Sequence, residues 1–379
     1  MSQAASEAQG AMKLLAPTSF QADFLSALQG LSVGSLYGSL PQDPSFRAHK
    51  ALPQTTAKDL AAHIRQAREK GIGFVYAMNS RSTGSWEFTA EGQRWLIERL
   101  GWLASVGARG VVTANTYLME LMRKRFPQLD VHVSTLANVD DVDKALFYED
   151  LGVGAIYVPE YTNRNFPFLR AVAQRVRCPI VLTVNLGCLM RCPFRDYHTS
   201  CISESRASLD NGHFVDYSMM KCTYMKVQSP VEVLKGAWVR PEDLHFYEEM
   251  GIKEFKIAGR EQSTEWVLRA VRAYSSRTYN GYLNDIINGF DLVQPFGTMT
   301  VRVDNCKLDG FLPFMLKHDC HLGCLACTYC NQWAAKTVEA SEEARVKQAQ
   351  QIERTIGRFT SGSFRAPSVP KTTTGVPSP

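Results

Sequence analysis

The sequence lacks several features that would place it in a class at once. No stretch of eighteen or more apolar residues occurs, so no membrane-spanning helix is expected. The start, MSQAASEAQGAMK, has neither a basic n-region nor an apolar h-region, so secretion is not indicated and a cytoplasmic location is expected. There is no long run of like charge, and a net charge of +5 is mild for 379 residues, so charge alone does not argue for nucleic acid. Two hydrolase signatures are missing as well: there is no HExxH zinc motif and no serine held in a nucleophile elbow. What remains is a chain with 45% hydrophobic and 21% charged residues, able to bury a large core as one big barrel or two ordinary domains.

Cysteine is abundant: ten of them in a chain without an export signal. Disulfides are rare in a reducing compartment, so clustered thiols point to metal ligation before they point to cross-links.

Along the chain, short apolar runs alternate with longer stretches of helical periodicity. Eight such units predict strands at Lys13–Ala16, Val33–Leu40, Gly73–Met78, Gly110–Ala114, Val131–Leu136, Ala155–Pro159, Pro179–Val184 and Glu254–Ala258. Most are nearly continuous apolar runs, as strands covered on both faces are. Thr56 with Asp59 predicts a helix start before Leu60, Ile64 and Ala67. Thr89 predicts another before Trp95, Leu96, Leu100 and Leu103, and Pro241–Glu242–Asp243 suits a first turn that Gly251 later ends. Eight β-α units predict an α/β fold, a (β/α)8 TIM-type barrel of about 250 residues, with an open doubly wound sheet as the competing architecture. The expected organisation is a flexible N-terminus over 1–12 and a barrel over 13–290 with a cysteine-rich insertion at 186–235 after strand 7. A cysteine-rich extension with a polar helix at Val338–Ile356 follows over 291–356, then a disordered Ser/Thr/Pro/Gly tail over 357–379.

Barrel chemistry gathers where strands end and the following loops begin. There, Cys188 and Cys192 follow strand 7 directly, with Cys201 and Cys222 farther along the insertion, a spacing suited to holding one cluster. Asp196, His198 and His213 lie in the same insertion as candidate substrate groups. The second constellation is denser: Cys320, Cys324, Cys327 and Cys330 fall within eleven residues, suited to a [4Fe-4S] cluster or to zinc. Zinc sites more often use two separated C-x2-C knuckles, which favours iron here. The C-x3-C-x2-C spacing of Cys320, Cys324 and Cys327 also matches radical S-adenosylmethionine enzymes, although it lies beyond the last strand, with Cys330 able to fill the open corner. Cys178 and Cys306 stand apart as ordinary core or surface residues.

Asn79, Asn115, Ser134, Glu160 and Asn185 sit at or just past strand ends, where side chains either face the barrel mouth or cap structure. After strand 8, Ile257–Ala258–Gly259–Arg260 leads into a helix capped by Ser263, so that backbone N–H groups, Arg260 and Lys256 are candidates for binding an anionic part of the substrate.

The run VNLGCLMRCPFRDYH, the segment WVRPEDLHFYEEMGIKEFKIAGRE and the late cysteines together resemble the collagenase-like peptidase family U32, over roughly residues 13–335. That resemblance implies an oxygen-independent, hydroxylase-like oxidoreductase, with a [4Fe-4S] cluster on Cys188, Cys192, Cys201 and Cys222 and prephenate as oxygen donor. It also implies a homologous partner subunit and an electron donor. The family's peptidase signature has a glutamate eight residues and a glycine three residues before its first motif cysteine. Here those positions are Ile180 and Asn185, which argues against a peptidase. No RNA-binding domain is recognisable after the late cysteines, so a small molecule is expected ahead of RNA as substrate. The cofactor expectation is one or two [4Fe-4S] clusters, with zinc at the late group as the alternative. As a whole function, a cluster-bearing partner subunit is the non-enzymatic alternative.

Overall fold

The computed structural model describes residues 11–45, 52–204, 216–290, 296–318, 320 and 327–362. Cys324, His213, the first ten residues and the tail after 362 lie outside the described residues.

Eight parallel strands close into a barrel in sequence order: β1 (Lys13–Pro17), β2 (Val33–Gly38), β3 (Gly73–Ala77), β4 (Gly110–Thr113), β5 (Asp130–Val133), β6 (Ala155–Val158), β7 (Ile180–Thr183) and β8 (Glu254–Lys256). Closure is made by β1 against β8, where Leu14 pairs with Phe255 and Leu15 with Lys256. All eight expected strands are present, and the open-sheet alternative is excluded by this pairing. The predicted end of β1 falls one residue short, and the other seven run one to three residues long, because the last residues of each of those runs have already turned into the loops of the barrel mouth.

The alternation of side chains explains why the strands read as continuous apolar runs. Leu15, Tyr37, Val75, Ala77, Val112, Ala155, Tyr157 and Val181 pack with one another inside the barrel. Their neighbours along each strand, such as Leu14, Ala16, Phe74, Tyr76, Val111, Ile156 and Leu182, face outward against the helices. Both faces are therefore dry.

The helices begin where the sequence signals them. The side chain of Thr56 accepts from the Asp59 amide at the start of α1 (Ala57–Glu69), and Thr89 does so from Gly92 at the start of α2 (Ala90–Ser105). A satisfied first turn of this kind is worth about 1 kcal/mol. Leu60, Ile64 and Ala67 of α1 and Leu96, Leu100 and Leu103 of α2 are buried against the barrel. The outer ring continues with α3 (Thr116–Arg125), α4 (Val142–Asp150) and α5 (Phe166–Arg175). Pro241–Asp243 forms a 3-10 turn ahead of a short helix, and Gly251 takes the left-handed φ of +97° that ends it.

The connection from β7 to β8 departs from the simple pattern. It carries α6 (Arg195–Ser203) and α7 (Tyr217–Gln228) above the mouth of the barrel before the chain returns to β8. Its two ends are tied together: Leu189 bridges Gly236, the Ala237 amide donates to the Cys188 carbonyl at 2.8 Å, and Val239 donates to Val184 at 2.8 Å. After β8, α8 (Thr264–Ser276), capped by Ser263, completes the ring.

Beyond the barrel, β9 (Arg302–Val303) pairs antiparallel with β10 (Val338–Glu339), between which lies α9 (Tyr329–Thr337); α10 (Glu342–Thr360) comes last. The polar helix expected over Val338–Ile356 thus starts later, because Val338 and Glu339 join a strand pair. It also runs on through 357–360, the first residues of the stretch expected to be disordered. At the other end, Met12 is already buried in the core, inside the stretch expected to be flexible.

Candidate functional site

Cys188, three residues beyond Asn185 in the loop after β7, opens the segment that roofs the barrel mouth. Together with Cys192 from the loop, Arg195 and His198 from α6, and Cys222 and Lys226 from α7, it lines a cavity of about 290 Å3 above the ends of β5 to β8. Glu160, just past β6, forms part of the wall. This volume is near the lower end for a small-molecule site, about 300 Å3.

A buried ion pair organises the cavity. The Arg195 guanidinium meets Glu160 with both ends, Nε to Oε1 at 2.9 Å and Nη2 to Oε2 at 3.3 Å. Its Nη1 donates to Asn138 Oδ1 at 2.5 Å, and the group lies 4.9 Å over the Tyr161 ring. Burial alone would lower the arginine's pKa, but the charge and hydrogen bond of Glu160 win and hold it above the ordinary value. With both partners little exposed, breaking the pair would leave one charge without compensation.

The thiols respond to the same surroundings. Cys188 lies deep in the fold with part of its surface open to the cavity, and burial, with Glu160 beside it, pushes its thiol up to about 12. Cys192 is raised in the same direction, first by burial and then by Cys222 and Glu160, against the Phe194 amide. Lys226 pulls both the other way. Cys222 donates its S–H to the Met219 carbonyl at 3.3 Å. Protonated thiols of this kind become ligands only by giving up a proton to an incoming cation.

Of the four cysteines expected to act together here, the fold brings together three. Cys201 lies on α6 one turn after the exposed Tyr197, and it is not in the cavity wall. No disulfide ties any of the described cysteines. An iron–sulfur cluster fits the donor chemistry, since three free thiols share one cavity. Among the described residues, however, no three Cys, His, Asp or Glu side chains are gathered into a closed metal site. The thiols are neighbours standing apart.

The late group is built differently. Cys320, Cys327 and Cys330 are half-buried on the outer flank of the barrel, beside a stack of Phe311, Phe314, Tyr329 and Trp333. Cys320 and Cys330 both act electrostatically on Arg164, a buried guanidinium that lies 5.0 Å from the Trp238 ring and 5.5 Å from the Phe311 ring, beside the stack these two rings make with each other. Cys178 is half-buried at the core edge, with burial raising its thiol to about 11, and Cys306 is exposed, donating to Asn280 at 3.2 Å.

The strand-end candidates divide. Glu160 is in the cavity. Asn115 caps α3 by accepting from Leu118 and holds Glu87 at 2.7 Å, while Ser134 caps the turn that follows β5. Asn185 is fully buried and welds β7 to the β8 loop, accepting from the Ala258 amide at 2.6 Å and donating to the Ala258 and Ile286 carbonyls. Because it takes up the Ala258 amide, the loop after β8 has one donor fewer for an anion. Asn79 is buried at the end of β3, away from the cavity wall. Lys256 lies 4.7 Å from the Tyr37 ring and 5.5 Å from Tyr157 in the barrel throat. Arg260 donates to Ser39 and sits 5.9 Å above Tyr37. Asp196 points outward to Arg81, whereas His198 faces the cavity and is oriented by Asp216 at 3.1 Å.

Lys226 was absent from the sequence expectations, although a signal for it existed. Ser218, Cys222 and Lys226 recur every four residues along α7, and all three line the cavity. Against the expectation that no nucleophile elbow is present, Gly30–Leu31–Ser32–Val33–Gly34 has the spelling of one, but Ser32 precedes β2 at the opposite end of the barrel, with its amide bonded to Ser275, so it is not placed as a nucleophile.

Peptidase family U32 matches the chain over residues 42–165, a stretch that contains Glu160 and ends before the first cysteine. An uncharacterized protease of Methanocaldococcus jannaschii is 28% identical over 286 residues, covering 74% of this chain and 82% of that protein. Among solved structures, a U32 peptidase is similar at 21% identity and a TM-score of 0.49, covering 66% of this chain and 93% of that one. A tryptophan synthase structure from Pyrococcus furiosus is similar at 12% identity and a TM-score of 0.39, covering 70% of this chain and 97% of that one.

Proposed function

With its relationship to the U32 peptidases as premise, we propose that this chain is an iron–sulfur oxidoreductase of the oxygen-independent hydroxylase type. It would act on a small molecule at the C-terminal face of the barrel, ahead of a nucleobase. The observation that carries this reading is the meeting of Cys188, Cys192 and Cys222 with the Glu160–Arg195 pair in one cavity at strand ends. Soft sulfur donors suit iron, and a barrel mouth is where such folds do their chemistry.

Cys188, Cys192 and Cys222 would hold the cluster, with Cys201 as the expected fourth ligand. A bound [4Fe-4S] cluster supplies electron transfer and, where one corner is open, Lewis acidity toward a substrate oxygen. The protein's own part is positioning. Arg195, fixed by Glu160 and Asn138, presents an immobile positive charge to the cavity. Asn288 holds Glu261 at 3.0 Å on the opposite side, and the apolar Leu186, Leu189, Ile202 and Met219 limit water. Cys320, Cys324, Cys327 and Cys330 would carry a second, electron-relay or structural centre, with Arg164 as its buried counter-charge.

Anaerobic purification followed by iron, sulfide and zinc analysis, with EPR of the dithionite-reduced protein, tests this. About eight irons per chain supports two cubanes and about four supports one, since each holds four irons on thiolates. Stoichiometric zinc without iron overturns the redox reading.

A peptidase is the second reading, favoured by one observation: His198, oriented by Asp216, shares the cavity with Cys188 and Cys192, the parts of a cysteine nucleophile and its base. Among the described residues no hydrogen bond joins His198 to either thiol. Cleavage of a peptide library that is lost in Cys192→Ala or Cys188→Ala and survives chelation would establish it.

A further inference from the structure

Lys226 is 2% exposed, far below what a lysine ordinarily shows. Its ammonium lies 5.4 Å from the centroid of Phe290, which is itself fully buried. Phe290 in turn presses on Gly187, where a Cβ would sit 2.4 Å from the ring, so only glycine allows this approach next to Cys188. Among the described residues Lys226 makes no hydrogen bond and no ion pair through its ammonium.

Such burial is costly without an opposing charge, by several kcal/mol for an isolated ion. The carboxylates around the cavity are already engaged: Glu160 by Arg195, Asp216 by His198 and Glu261 by Asn288. What is left facing the ammonium is sulfur. Cys222 is one helical turn before it on α7, and Cys188 and Cys192 are close enough to interact with it electrostatically.

We propose that Lys226 is the counter-cation of the centre held by Cys188, Cys192 and Cys222, and that it raises the reduction potential of that centre. The inference rests on the reading that these cysteines hold an iron–sulfur cluster. Its physics is simple. A cluster on thiolates is anionic, and one-electron reduction adds a further negative charge in a water-poor site. A fixed positive charge nearby therefore stabilises the reduced form more than the oxidised one. Phe290 and Gly187 keep the ammonium in place, so that it acts as a constant charge rather than a mobile one.

The test compares the anaerobically purified wild type with Lys226→Met, Lys226→Gln and Lys226→Arg in EPR-monitored titrations with dithionite. The signal that Cys188→Ala removes is followed, and the late centre serves as internal control. Expected in Lys226→Met is a drop of at least tenfold in the ratio of reduced to oxidised early centre at a fixed potential. That corresponds to a shift of about 59 mV to more negative values for one electron. Lys226→Arg should stay near wild type. If the methionine variant does not fold, the glutamine variant, with similar reach and no charge, decides by the same measure. Loss of early-site iron in the neutral variants, with the fold intact by circular dichroism and iron retained in Lys226→Arg, also supports the assignment. Full iron with an unchanged potential overturns it. A wild type without iron instead overturns the proposed function, which keeps the two failures distinct.

Discussion

The two cysteine groups differ in a way that their spacing conceals. The late group is the denser in sequence, four cysteines within eleven residues. Yet in the fold its described members, Cys320, Cys327 and Cys330, ride on the flank of the barrel against an aromatic stack, with one buried arginine for company. The early group is spread over 35 positions, from Cys188 to Cys222, and three of its members meet in a cavity equipped with an ion pair, an oriented histidine and a buried lysine. Density of ligands marks a place to hold a metal. Chemistry needs a cavity, charge and a way in, and those are supplied by position relative to the strand ends.

The sharpest way to break this comparison is Cys188→Ala. It should abolish turnover and remove the early iron, about four of about eight per chain, leaving the late centre untouched. Retained activity with full iron would place the reaction elsewhere.

Next in size is Glu160→Gln, which leaves Arg195 buried without its partner. A loss of about 3–5 kcal/mol in unfolding free energy is expected. Chemical denaturation measures it, and Glu160→Met combined with Arg195→Met should recover most of the loss. A single variant as stable as wild type would mean that water reaches the pair.

The pH dependence follows from histidines outside the site. Burial holds His63 and His132 down at about 4, so the fold keeps both neutral while the unfolded chain binds protons below 6.5. The stability they confer is therefore complete above pH 6.5 and is lost as pH falls toward 4, by up to about 1.4 kcal/mol per pH unit for each histidine. Urea midpoints at pH 7 and pH 5 should separate, and His63→Gln should narrow the gap. An equal gap in that variant would assign the effect to other groups.

The smallest effects sharpen the contrast from the structural side. Asn115→Ala removes a helix cap and should cost about 1 kcal/mol with iron content unchanged. Cys306→Ser, at an exposed position, should stay within about 0.5 kcal/mol of wild type.

The barrel was legible because its signals are local. A run such as Phe74–Ala77 is apolar on both sides of the strand, and Thr56, Thr89 and Ser263 announce helices three residues before the amides they cap. The site was legible only in its sulfur. Asn115, Ser134 and Asn185 stood at strand ends as good candidates as Glu160, yet each is consumed by backbone groups. What separates them is the partner, and the partner of Glu160 is Arg195, 35 residues away on a helix whose course over the barrel mouth no periodicity specifies. Lys226 was hidden for the related reason that its meaning depends on what Phe290 and Gly187 place beside it.

The neck of the β7–β8 segment has a further consequence. Because the chain leaves at Cys188–Leu189 and re-enters at Gly236–Ala237 through adjoining backbone bonds, its span can change in length or composition without altering the path of either strand. The scaffold and its cap are thus joined by this neck and by a few side-chain pairs such as Arg195–Glu160. A lineage can exchange the cap as one cassette, provided that the new cap again supplies a partner for Glu160.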